Sequence, residues 1–505
     1  MTTSGRFFRL AAFSALVGLG PRARSEEVPE LTPPARIVQP ASDLGSHIQR
    51  TMTLLSTSSP EHRNRVRILF YGQSITENGW WREVEGDLRR RFPNALLEVE
   101  NRAIGGFASD LLIKPVEHDV PAYYPDLVIF HVYGDHRKYE KIIRLIRSRT
   151  SSEVLIQNDH LTRWPAKPGA SKDGGEDWDI RMNREIIPGI ASKFGCGLVD
   201  VRSSWTSYLQ DNHLQPRDLL LDDVHLNPRG YALMAAIVNS YLVDRPDLPR
   251  EEWQSLVRTF EVGSEVSWVK DRLTLPFEGN RIDAIGPRTA KKSEGAGHSA
   301  RVLIDGKKPS EFEGTYAITR PSPKPWSALA LIRVDHDRPL IVENWTLTVT
   351  SFDPSPPRWN FRVEGSKTGP DGTGRSDASF TSPSGRVRID PGSWFQKKPV
   401  EPGYQVRWSV VPMFTDVYRE AVGDDPSTIL AQGLPNGPHT LELVAEPGQT
   451  PELAALRAFR PPFAATEFPT LLVASGTTTL VVALGSILAI RRGWARRGRR
   501  LEVAT

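Results

Sequence analysis

With 505 residues, of which 39% are hydrophobic and 25% charged, the chain is too long for one ordinary core and too apolar for general disorder, so two folded domains plus linkers are expected. The net charge of +4 sits at the ends: residues 1–25 carry four arginines and no acid, residues 491–505 carry six arginines and one glutamate, and subtracting +4 and +5 from +4 leaves −5 for the body. That balance argues against a duplex-binding face and a nucleic-acid partner, while the single cysteine, Cys196, excludes an intrachain disulfide and a cysteine-based metal cage.

Arg6 and Arg9 precede the apolar run 10–20, and Ala23-Arg24-Ser25 puts small residues at the two recognition positions of a signal-peptidase site, so residues 1–25 predict an export signal. The alternative, an N-terminal anchor, is disfavoured because the run is shorter than the ~20 residues a spanning helix needs. Residues 26–62, rich in proline, serine and charge without sustained periodicity, predict a linker. From Val66 the pattern alternates. Apolar runs at 66–71, 96–99, 127–132, 154–157 and 198–201 are separated by segments of helical period. Tyr139, Ile142, Ile143 and Ile146 fall at i, i+3, i+4 and i+7 of one helix, and 228–242 reads as another, with Pro228 in its first turn and Leu233, Ile237 and Tyr241 along one stripe. Five short strands joined by helices imply a parallel sheet covered on both faces, a three-layer α/β/α domain over 63–250. Ligands of such sheets bind beyond the strands' carboxyl ends.

After about residue 250 short alternating segments with Gly, Pro, Asp and Ser turns predict an all-β sandwich over 251–445, followed by a proline-containing stalk, 446–468. Residues 469–490 are uncharged and long enough to cross a bilayer. The arginines that follow predict a cytoplasmic tail, 491–505, by the positive-inside bias, with the body exported and tethered outside. A removable sorting tail is the alternative.

The chemistry-bearing residues recur where the strands end. Gly72-Gln73-Ser74 follows the first strand; alone it reads as a helix cap. Gly105-Gly106 after the second offers a turn able to aim a backbone N–H into the same crevice. His131-Val132-Tyr133-Gly134-Asp135-His136 follows the third strand and Asn158-Asp159-His160 the fourth. Asp222-Asp223-Val224-His225 precedes the last helix. A serine needs a base and the base a carboxylate to fix its tautomer, and Asp-x-x-His supplies both from one loop. His131, Asp135, His136 and His160 form no familiar metal-ligand spacing, so neither metal nor cofactor is expected.

In chain order these blocks resemble those of the SGNH/GDSL hydrolases, over roughly residues 64–245. The resemblance implies a flavodoxin-like fold and ester hydrolysis, often of acetyl groups on carbohydrate or acyl chains on lipid. It implies that Ser74 is the nucleophile, His225 the base and Asp222 its orienter. The family's oxyanion hole would comprise the N–H groups of Ser74 and Gly106 and an asparagine side chain, whose place Asp135 takes. An ionised carboxylate there would repel the developing charge. Three ways out are open: Asp135 is protonated, it turns away, or a neighbour such as Asn158, His136 or His160 supplies the donor; Asn158 is favoured, with an Asx turn as its structural alternative. Gln73 replaces the family's usual acid. Segments around Phe277, Val302 and Leu434 to Leu443 resemble jelly-roll modules of carbohydrate esterases, and Trp268, Trp326, Trp345, Trp359, Trp394 and Trp408 are either sugar-stacking rings or core. The expected partner is thus an O-acylated envelope glycan or another ester. The alternative is an acyl-transferring or non-catalytic glycan-binding surface protein with a degenerate site.

Overall fold

In chain order the first elements are α1 (Gln49–Ser56), β1 (Arg65–Gly72), α2 (Ser74–Glu77), α3 (Trp80–Arg91), β2 (Leu96–Asn101), α4 (Ser109–Leu112), α5 (Val116–Tyr123), β3 (Leu127–His131), α6 (His136–Arg149), β4 (Glu153–Gln157), α7 (Trp178–Arg181), α8 (Ile187–Lys193), β5 (Gly197–Val199), α9 (Val201–Asp211) and α10 (Pro228–Tyr241). The structure, a computed structural model, describes residue 31 and residues 34–165, 178–248, 255–288, 297–323, 325, 328–421, 423 and 426–464. The expected export signal, the membrane span 469–490 and the basic tail lie outside these residues. No helix among the described residues is long and apolar enough to cross a membrane.

The five strands pair in parallel in the order β2-β1-β3-β4-β5, which is the flavodoxin-like arrangement. β3 and β4 are buried along their whole length because both faces of the sheet are covered. Ile68, Phe70, Ile129 and Leu155 meet Met52 of α1, Trp80 and Val84 of α3, Trp205 of α9 and Leu233 and Ile237 of α10. On the other face the predicted stripe Tyr139, Ile142, Ile143 and Ile146 of α6 is fully buried, and the Tyr139 ring meets Phe130 edge-on at 5.2 Å. The fifth strand is shorter than expected. Asp200 ends it by capping α9, its side chain accepting the Ser203 amide at 3.1 Å.

The stretch 26–62 is not wholly a linker. Ile48, Met52 and Leu55 are buried, and the carboxylate of Glu153 accepts the Arg50 and Thr51 amides, each at 2.8 Å. Eight residues are too few for a periodicity signal, and the partner that anchors the helix lies a hundred residues away.

Beyond residue 255 the described strands pair antiparallel, but they build two large sheets with separate cores, and two further two-stranded sheets, rather than one sandwich. In the first, strand Arg272–Ile285 pairs with Ser427–Ala445 and with Ala455–Phe459, which in turn pairs with Val257–Glu261. The expected stalk therefore contains a sheet strand, hidden from the sequence by the prolines around it. The second sheet, built on Glu343–Pro354, Pro357–Gly365 and Gln405–Pro412, is inserted between strands of the first. Trp345, Trp359 and Trp408 are buried in its core, Trp394 packs against Trp359, and Trp268 lies partly buried against the first core. These rings are packing residues. Trp326 lies outside the described residues.

The β region docks on α5. Arg333 reaches Glu117 at 2.8 Å, Arg320 holds Asp119, Gln432 donates to the Pro121 carbonyl at 2.9 Å, and Tyr124 donates to Asn280 at 2.8 Å. Between them His118 accepts the Val334 amide at 3.3 Å on Nε2. Burial, the largest effect, pushes the His118 ring below its ordinary value of 6.5 and outweighs the pull of Asp119. The unfolded chain therefore takes up a proton near pH 6.5 that the folded protein refuses until lower pH. Stability from this site is complete above that value and drains as pH falls, by at most about 1.4 kcal/mol per pH unit. Urea denaturation at pH 7 and pH 5 should show that loss, and His118→Gln, which keeps an acceptor but no titrating ring, should reduce the difference.

Candidate active site

The crevice begins where β1 meets β3. A Cβ on Gly72 would stand 1.9 Å from the His131 carbonyl oxygen, so only glycine lets the two strand ends come this close. Gln73 is extended, and the chain then turns at once into α2, with the Thr76 and Glu77 amides bonding to the Gln73 carbonyl. Ser74 is the first residue of that turn, half-buried, with its N–H among those that a helix start leaves without an intrahelical acceptor.

The turn after β2 is hung on β1: the Arg102 amide bonds to the Phe70 carbonyl and the Ile104 amide to that of Gly72, both at 3.0 Å. The Gly105 amide donates to Glu77 at 2.9 Å, and a Cβ on Gly105 would lie 2.4 Å from that carboxylate and 3.7 Å from the Ser74 Cβ. The turn thus lies against the serine. Gly106, exposed and at φ +72°, has an N–H with no hydrogen-bond acceptor among the described residues. It is an available donor.

Asp222 and His225 come from the loop before α10. Asp222 Oδ1 accepts the Val224 and His225 amides at 2.8 and 2.7 Å, and Oδ2 accepts the His225 Nδ1–H at 2.7 Å. These bonds, the His225 amide foremost, hold the Asp222 carboxyl well below the usual carboxylate range. With Nδ1 carrying the hydrogen, Nε2 keeps its lone pair. The loop is closed by the Leu221 amide on the His225 carbonyl at 2.7 Å and tied to β4 by His160, whose Nε2 donates to the Val224 carbonyl at 2.9 Å. Burial lowers the His160 ring to about 4, so it stays a neutral strut. α10 starts three residues after His225 and packs along α3, where Tyr231 stands 3.8 Å from the Cβ position of Gly79, five residues after the serine.

The other expected site residues have partners of their own. Asp135 is exposed and caps α6, its Oδ1 accepting the Arg137 and Lys138 amides, both at 2.9 Å, and these bonds, that of Lys138 first, lower its pKa. Of the three ways out, the carboxylate turns to its own helix. Asn158 is buried and occupied, donating to Asp200 at 2.9 Å and accepting the Arg202 amide at 2.9 Å. It serves the start of α9 rather than the serine. His131 is bonded to Asp159 at 2.7 Å, and His136 packs against Trp178. Among the described residues no group of three or more His, Cys, Asp or Glu is placed to hold a metal ion. Sequence reasoning missed Glu77, whose signal was its place three residues after the serine in the same helical turn, and the docking residues of α5, for which the sequence holds no local signal.

Residues 70–233 match the model of the GDSL-like lipase/acylhydrolase family. No curated protein matches the chain. Among solved structures it is similar to an α/β hydrolase enzyme from the metagenome of Lake Arreo, Spain (21% identity, 37% of this chain and 100% of that one, TM-score 0.30). It is also similar to a two-domain esterase active on acetylated mannans (16% identity, 83% and 97%, TM-score 0.33) and to an acetyl xylan esterase (24% identity, 35% and 100%, TM-score 0.31). The parallel sheet, the serine turn and the family match together identify residues 70–233 as a GDSL-like lipase/acylhydrolase domain, a carboxylic ester hydrolase domain.

Proposed function

We propose that the chain cleaves esters through an acyl-Ser74 intermediate, with His225 as base and Asp222 as its orienter. The observation that carries this reading is the 2.7 Å bond from His225 Nδ1 to Asp222 Oδ2, which leaves Nε2 as the ring's proton acceptor. His225 Nε2 takes the proton as Ser74 Oγ attacks the carbonyl carbon. The oxyanion is met by the N–H groups of Ser74 and Gly106, and the alcohol leaves with the proton from His225. Water, deprotonated by the same ring, then releases the acid.

The proposed substrate is a short acyl ester, such as O-acetyl, on a carbohydrate. Its support is an open and polar site: the His225 and Asp222 side chains are 38% and 55% exposed. Tyr133, Trp164 and Trp178, in the segments that follow β3 and β4, are exposed rings of the kind that stack on sugars. A location outside the membrane, with a C-terminal anchor, is proposed on the residue patterns of the two termini alone.

Ser74→Ala should lower turnover of 4-nitrophenyl acetate by about 10⁴-fold or more, and Asp222→Asn by about 10⁴-fold through the wrong histidine tautomer; Ser74→Ala turning over at the wild-type rate would sink the mechanism. Asp135→Ala should lower the Tm by removing a helix cap while turnover stays within about twofold, far from the roughly 100-fold or greater loss expected of an oxyanion donor. A loss of that larger size would restore Asp135 to the oxyanion hole.

A further inference from the structure

The seam between the α/β domain and the β region touches the Arg102–Phe107 turn at both of its ends. At the start, Arg320 Nη2 donates to the Arg102 carbonyl at 2.8 Å. At the finish, the Phe395 ring packs on the Phe107 ring with centroids 5.4 Å apart. Between these two contacts lie Gly105, pressed on Ser74, and Gly106, whose N–H is the backbone donor of the mechanism above.

Arg320 is itself immobilised. Its Nε and Nη2 reach the two carboxylate oxygens of Asp119 at 2.9 and 2.6 Å, Tyr71 OH donates to the same carboxylate at 3.0 Å, and the side chains of Arg320 and Asp119 are only 12% and 2% exposed. Tyr71 lies on β1, the strand that ends at the serine. The fork therefore fixes the turn relative to the strand that carries the nucleophile, and a planar guanidinium is suited to bridging a carboxylate and a carbonyl at once. Plain docking needs no bond to the turn. The Arg333–Glu117 pair on the same helix reaches none of its residues and offers the comparison.

We infer that Arg320 and Phe395 are positioning residues for ester hydrolysis: the β region clamps the oxyanion turn in register with Ser74. The inference rests on the reading of Ser74 as nucleophile and Gly106 as donor. A donor displaced from the oxyanion loses most of its effect, and removal of one costs about 100- to 1000-fold, so a loosened turn should cost part of that.

The test compares the full-length protein with Arg320→Met, Arg320→Lys, Phe395→Leu and Arg333→Met, measuring kcat and KM for 4-nitrophenyl acetate per active site. Sites are counted by labelling to completion with a fluorophosphonate. Arg320→Met should lose about 10- to 100-fold in kcat per site with KM within about twofold, Phe395→Leu less, and Arg320→Lys should recover part of the loss. Affinity for phenylboronic acid, whose adduct places an oxygen where the oxyanion forms, should weaken in step with kcat/KM. Arg333→Met should lower the Tm and keep kcat per site. Unchanged kcat in the Arg320 variants, or an equal loss in Arg333→Met, overturns the clamp. Should Arg320→Met not fold, Arg320→Lys and Phe395→Leu carry the same comparison. A wild-type protein that neither hydrolyses the ester nor labels at Ser74 overturns the nucleophile assignment, and the clamp with it.

Discussion

A carboxylate that is 2% exposed needs hydrogen-bond partners, and Asp119 has them on every side. Tyr71 reaches it from β1 and Arg320 from the β region, while Arg102 of the Arg102–Phe107 turn bonds the carbonyl of the same residue at 2.6 Å. Removing one member of such a buried set strands a charge, at a cost of about 3–5 kcal/mol. The constraint runs both ways. The strand that leads to Ser74, the helix that receives the β region and the Arg102–Phe107 turn are tied by one cluster of charge.

The triad loop obeys a different physics. Asp222 is exposed, and its low pKa arises from three hydrogen bonds within four residues rather than from a low dielectric. Such a local turn holds its geometry by backbone bonds, so it tolerates solvent and an open site. Its position in space comes from beneath, through the buried, neutral His160. The Asp222–His225 loop is thus built locally, whereas the Arg102–Phe107 turn is held from afar.

That division explains what could be read from the residues alone. The five strands, the α6 stripe and the Ser74, Asp222 and His225 positions are marked by local patterns: apolar runs, a 3.6-residue period, an Asp-x-x-His spacing. Asp135 holds a block position that suggests an oxyanion donor, whereas its carboxylate caps α6. Asn158 was misjudged because its partners, Asp200 and Arg202, lie more than forty residues on. Arg320 looks like any surface arginine until the fold brings Asp119 to it across 201 residues. Likewise strand Ala455–Phe459 sits in proline-rich sequence and is recognisable only beside Arg272–Ile285.

That strand also sets an order of events. The α/β domain is complete by Tyr241, and every element around Ser74 and His225 has then been synthesised. The seven-stranded sheet cannot close until Ala455–Phe459 slides between Val257–Glu261 and Arg272–Ile285, nearly two hundred residues later, after an inserted sheet has formed. Pairings of such long sequence separation are slow to form. A newly made chain therefore holds Val257–Glu261 without its strand partner until Ala455–Phe459 has been synthesised.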